Sequence, residues 1–265
     1  MQRTVSSRIV LDVTEPAELV FAVAVSAHYS DVDEVFTASV DGTAVDARPM
    51  SDAHGTRLRA VSSPPGRLEV TYRAEVSGLG AIATASSTDR LVYRRPSRYA
   101  QSDALLAQAA EEFAGVDEPA DLLRAVSSWV GTRLSYVPGS SGPTDGATRT
   151  LDIRKGVCRD YAHVCVALLR ARGIPARMVA VYAPGLDPMD FHAVAEAWVD
   201  GAWRVVDATT LAPRSTLVRI ATGRDAADTA FLTVVSGRTD LVETEITAVV
   251  DELPGDDLDD LVQIR

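Results

Sequence analysis

The stretch Lys155 to Pro175, KGVCRDYAHVCVALLRARGIP, constrains the fold more than any other part of the chain. Apolar residues at Tyr161, Val164, Cys165, Leu168 and Leu169 have helical spacing and predict a helix beginning near Cys158. Gly173 supplies the stop and Pro175 prevents continuation. ARMVAVYA follows as a strand. FHAVAEAWVDGAWRVVDAT then alternates on both sides of Asp200-Gly201, the signature of a two-residue hairpin turn. STLVRIAT and FLTVVSGRTDLVETEITAVV read as further strands. A helix followed by strands joined through tight turns predicts an α+β unit, with the cysteine-bearing helix packed on an antiparallel sheet or barrel.

The region ahead of this unit reads differently. RIVLDV alternates, ELVFAVAV is a buried-strand run, and TASVDGTAV forms a hairpin around Asp41-Gly42. RLRAV and RLEVTYRAEV flank a Pro64-Pro65-Gly66 turn. These signals predict an N-terminal β-sandwich over residues 1–92, with His28 and His54 exposed near turns. Ser102 is placed to cap a helix over ALLAQAAEEFA, and Pro119 opens a second helix running to Leu134. VPGSSGPTDGATR is an exposed loop. The second unit then spans residues 93–250, and residues 251–265 form an acidic, frayed tail.

Charge narrows the function. The formal balance is 26 − 37 = −11, which repels nucleic acid and anionic membrane. Two cysteines make no disulfide scaffold, so reduced thiols are expected. The N-terminal residues lack the apolar core of a signal peptide, and LVFAVAV is too short to span a bilayer. The expectation is a soluble, cytoplasmic protein. DGTAVD and DDLDD are not calcium-loop patterns, and neither a metal nor a cofactor is expected. Nothing in the residues sets an oligomeric state.

Cys158 stands where a helix begins, and unpaired N–H groups there favour a thiolate and can receive the oxyanion formed when a carbonyl is attacked. Gly156 and Val157 precede it, and Gly156 allows a tight turn with room for substrate. A buried cysteine that packs as a small hydrophobe is the competing reading. Cys165 lies about 10.5 Å further along the helix, among apolar neighbours, and is core. His163 is turned about 140° from Cys158 and is not its base.

The hairpin supplies a base. With Asp200-Gly201 as the turn, Val199 opposes Ala202, and His192 and Asp207 become diagonal neighbours on one face with Cα atoms about 7–8 Å apart. A one-residue slip would separate them. His192 is thus the expected base for Cys158 and Asp207 the group that orients it. Separate roles for each, a solvated strand-start histidine and a turn-capping aspartate, are the alternative.

These residues carry a family resemblance. Gly-Val-Cys at a helix entrance, Gly-Ile-Pro-Ala-Arg after it, His192 with Glu196, and Gly-x-Trp followed by Asp207 are similar to the core of the transglutaminase-like superfamily, over about residues 93–210. The β-rich leader followed by YRRPSRY resembles bacterial members that carry an extra N-terminal β domain. The resemblance implies a papain-like fold and a Cys158–His192–Asp207 triad. It implies acyl transfer on a peptide or amide substrate through a thioester, by a protease or amidase more than by a transamidase. A protein cross-linking transglutaminase, or a non-catalytic binding module on the same scaffold, is the alternative. Asp207-Ala208-Thr209 stands where the family commonly has Asp-Pro-Thr. Trp129 and Tyr136 are candidates to complete the oxyanion site, and Tyr182 is a candidate to line the cleft.

Overall fold

The computed structural model describes residues 1–265. The first six strands are β1 (Gln2–Phe21), β2 (Val32–Val40), β3 (Thr43–Ala44), β4 (Ala47–Ser51), β5 (Arg57–Ser63) and β6 (Gly66–Ser77). The middle of the chain holds α1 (Ser87–Val92), α2 (Leu106–Glu112), α3 (Pro119–Arg133), β7 (Ser135–Tyr136), α4 (Ala147–Ile153), β8 (Lys155–Gly156) and α5 (Cys158–Ala171). β9 (Ala176–Tyr182), β10 (His192–Val199), β11 (Ala202–Val206), β12 (Val218–Gly223), α6 (Ala226–Thr229) and β13 (Leu232–Val250) complete it. No helix is long and apolar enough to cross a membrane.

The strands expected in a sandwich instead join one curled antiparallel sheet of seven. β1 is its spine. β13 runs along one edge of β1 from Arg3↔Val250 to Phe21↔Leu232, while β6 and β5 share the other edge. The β1–β13 ladder shifts register at four places, and such bulges bend and twist a sheet. Gly237 sits at one of these bends with φ +83, where an added Cβ would lie 2.2 Å from the Pro16 carbonyl oxygen. Any side chain there would push the two strands apart.

This pairing corrects the expected boundary at residue 250. Residues 232–250 read from local pattern as part of the second unit, but they belong to the first sheet. Local alternation marks a strand without naming its partner. The tail is also not frayed. Arg214 holds Asp256 at 2.9 Å, the Val205 N–H donates to the Val262 carbonyl at 2.9 Å, and Arg3 donates to the Arg265 carbonyl at 2.7 Å. Ile264 is buried against Val205 and Leu217.

The second sheet has the order β11-β10-β9-β12. Alternation on β9 and β10 sends Ala176, Ala195 and Ala197 toward α5, where small side chains let the helix approach. Val179, Val181, Val194 and Val205 are closed over by Leu186, Leu217 and Ile264. β9 and β12 also reach the first sheet, since Tyr182, Val218 and Ile220 share a core with Ile9, Phe21 and Leu68. α5 is buried on nearly every side, which explains its apolar run. It ends as expected, with Gly173 at φ +80 and the Ile174 N–H returning to the Leu169 carbonyl. The first helix differs from expectation. A 3₁₀ turn over Ser102–Leu105 precedes α2, and Ser102 caps neither element.

Candidate active site

α5 begins at Cys158, and its first turn is organised by Asp160. This carboxylate is fully buried and accepts from the Val157 N–H at 2.8 Å and the Ser141 hydroxyl at 2.5 Å, while Arg159 lies 3.2 Å away. Arg159 also donates to the Gly142 carbonyl, so the Gly/Ser/Pro-rich loop is pinned to the helix mouth. Gly156 has a reason other than the one read from sequence. A Cβ there would lie 2.6 Å from the Asp160 Cβ, so glycine makes room for that side chain.

The hairpin forms in the expected register. Val199 pairs with Ala202 and Ala195 with Val206, around Asp200 and Gly201 at φ +51 and +71. His192 Nε2 lies 2.7 Å from Asp207 Oδ2, and both residues are buried. The other carboxylate oxygen accepts from the Thr209 N–H at 3.0 Å and the Thr209 hydroxyl at 2.6 Å. A carboxylate facing Nε2 keeps the proton on that nitrogen. Nδ1 is therefore free to accept; it is buried without a protein hydrogen-bond partner, and the Cys158 thiol is the group beside it. The thiol is 9% exposed and its Sγ lies 3.9 Å from the Phe191 carbonyl oxygen. Burial alone would lower the pKa of His192; the Asp207 carboxylate and the thiol outweigh it and raise it. Burial likewise opposes ionisation of Asp207, but His192 and Thr209 hold its pKa below the ordinary value.

The other predicted residues divide. Tyr136 pairs with Gly156 in the short parallel β7–β8 ladder just ahead of Cys158, and its ring centroid lies 6.0 Å from that of Tyr161. Its phenol is pushed up to about 12 by burial and then by the thiol. Trp129 is not at the site. Its Nε1 donates to Glu112 at 2.9 Å and its ring packs on Phe113 and Arg133. Tyr182 is not at the cleft either. Its hydroxyl donates to the Val23 carbonyl at 2.8 Å in the core between the sheets. Tyr182 fell on a strand face whose cover could not be read from its own neighbours.

Cys165 is buried, and burial pushes its thiol up. His163 lies against Tyr99 and accepts from the Ala226 N–H at 3.1 Å, which ties α6 to α5 beside Cys158. Asp225 is buried and accepts from the Tyr99 and Ala227 N–H groups. A groove of about 460 Å³ runs past Tyr136, Tyr161, Gly131, Asp207 and Thr209. Asp160 and Thr209 carried signals in the sequence, a helix-start acid and the last residue of Asp-x-Thr; Thr209 donates to Asp207 close by, whereas Ser141, the side-chain partner of Asp160, is distant in the chain.

A helix-mouth thiol, an imidazole and a buried carboxylate on an α+β scaffold define a class shared with known proteins. The family model described as the transglutaminase-like superfamily matches residues 107–208. A crystal structure of a candidate cysteine protease from Cytophaga hutchinsonii superposes with a TM-score of 0.87 at 30% identity, covering 98% of this chain and 96% of that one. The Mycobacterium leprae protein ML0607 is 30% identical over 222 residues, 78% of each chain. The Mycobacterium tuberculosis protein Rv2569c is 32% identical over 143 residues, 48% of this chain and 45% of that one. The chain belongs to the transglutaminase-like superfamily.

Proposed function

We propose that this protein is a cysteine-dependent acyl-transfer enzyme that hydrolyses peptide or amide bonds through a thioester. One observation carries the reading: His192 is held by Asp207 at Nε2, and its Nδ1 is left unbonded beside a thiol at a helix mouth. Nδ1 takes the thiol proton as Sγ attacks the carbonyl carbon, and the C=O π electrons move to oxygen. We assign the Cys158 N–H, at the first turn of α5, as a donor to that oxyanion, with the Tyr136 hydroxyl as the second candidate. When the tetrahedral intermediate collapses, the C–N bond breaks and His192 gives its proton to the leaving amine. Water then attacks the thioester, His192 accepts its proton, and the thiol is restored. Asp207 stays ionised throughout and keeps the imidazole in the useful tautomer.

Hydrolysis is favoured over amine transfer by the likeness to the candidate cysteine protease of Cytophaga hutchinsonii, 30% identical and covering 98% of this chain. The test is mass spectrometry of peptide amides incubated with wild type and Cys158→Ala, with and without a primary amine. Wild-type cleavage that is lost in the variant, with no amine adduct, supports the reading. Adducts in place of acids would make the protein a transamidase. No turnover, together with equal slow alkylation of Cys158 and Cys165 by iodoacetamide, would make it a binding module.

A further inference from the structure

A second buried charged group lies on β10, four residues beyond His192. Glu196 accepts from Arg177 Nε at 2.8 Å and from Arg219 Nη2 at 2.6 Å, and Arg219 Nη1 also donates to Thr222 at 2.9 Å. All three charged residues are at most 1% exposed. Two cations against one anion leave one unit of positive charge inside the protein, which is costly without a further partner. Arg177 is the under-used member. Its guanidinium stacks on Trp203 at 3.9 Å, its Nη2 faces Glu196 out of line for a hydrogen bond, and its Nη1 donates to no protein group.

A cavity of about 260 Å³ opens onto this guanidinium between His28, His54, Gly55, Ala81 and Thr84. Both histidines, expected in solvent, are half-buried at its walls. Neither neighbouring acid is available to Arg177: Asp89 is engaged with Ser86 and lies 3.8 Å from His54, and Asp52 caps Ala53. We propose that this cavity binds a small carboxylate monoanion, received by Arg177 and flanked by the imidazoles of His28 and His54. A single surplus charge matches a monoanion, and two coplanar oxygens suit the edge of a guanidinium.

Protonation follows from the same geometry. His28 faces Arg219, Arg177, Glu196 and His54, and His54 faces Arg177, Asp89, Arg219 and Asp52. Burial first and the arginines second lower both imidazoles, His28 to about 4, so the empty cavity holds them neutral. A bound carboxylate offsets the arginines and raises both pKa values. Binding therefore takes up protons and strengthens as the pH falls.

The test compares sodium acetate with sodium chloride at equal ionic strength, reading the thermal midpoint and the NMR titrations of the four histidines. Acetate at tenfold over its Kd is expected to raise the midpoint by about 3 °C over chloride. It should move the titrations of His28 and His54 upward and leave His163 and His192 in place. Ala81→Leu fills the exposed mouth of the cavity and is expected to abolish both responses. Acetate indistinguishable from chloride, or a full response in Ala81→Leu, overturns the site, and phosphate binding more tightly than acetate overturns the carboxylate assignment. The wild-type histidine titrations decide the matter even if Ala81→Leu fails to fold.

Discussion

His192 and Glu196 sit on the same strand and alternate to the same side, yet their ion pairs are built for opposite ends. Asp207 has one cationic partner, and that partner keeps a nitrogen unbonded next to a thiol. Glu196 is clamped between two guanidiniums that do not titrate in the working range of a protein. The first pair can pass a proton and the second cannot. One strand thus carries a reactive group and a rigid brace about 13 Å apart along its length. What separates them is the number of charges around each carboxylate, since both are fully desolvated.

This contrast can be broken most sharply at the thiol. Cys158→Ala is expected to abolish turnover, a loss of about 10⁶-fold in kcat, with little change in thermal midpoint. Asp207→Asn leaves the shape of the site but releases the imidazole, and turnover should fall by about 10⁴-fold in the same amide assay. Glu196→Gln should do the reverse. It leaves two buried arginines without a counter-charge and costs about 3–5 kcal/mol, read from urea midpoints, while the activity per folded molecule is retained.

A pH series sharpens the comparison further. His192 has a raised pKa, so its contribution is complete below its unfolded value of about 6.5 and is lost as the pH climbs toward about 10. Asp207 has a lowered pKa, so its contribution is present above about 3.9 and is lost as the pH falls below that. The stability gap between wild type and Asp207→Asn should be widest between about pH 4 and 6.5 and should narrow toward pH 10. Glu196, with its pKa held down to about 2 by the two arginines against the opposing effect of burial, should show no such narrowing on the alkaline side. The smallest effect belongs to Trp129→Phe, which loses one partly exposed hydrogen bond worth about 1 kcal/mol and should leave the alkylation rate of Cys158 unchanged.

Much of this site was legible in the chain because its parts obey local rules. The turn at Asp200-Gly201 fixes the register, and the register fixes the side of the sheet on which His192 and Asp207 meet. Gly173 and Pro175 end α5, and its apolar spacing separates Cys165 from Cys158. What escaped depends on partners remote in sequence. Tyr182 and Trp129 have the residue types of a cleft wall, but Val23 and Glu112 claim them. His28 and His54 have ordinary turn contexts, and only folding brings both against Arg177. The strand at residues 232–250 was recognised as a strand, while its attachment to β1 required knowing which edge was vacant.

That attachment bears on how the molecule is made. β1 leaves the ribosome ahead of the thiol-bearing unit, whereas Leu232–Val250 follows only after it. Until then one flank of β1 is a bare edge, twenty residues long, able to template pairing with another nascent chain. Closure by so distant a strand is slow, because the loop entropy is lost before the ladder forms. Synthesis therefore exposes its most adhesive surface for longest, and a holdase that covers Gln2–Phe21 would act on the step where yield is decided.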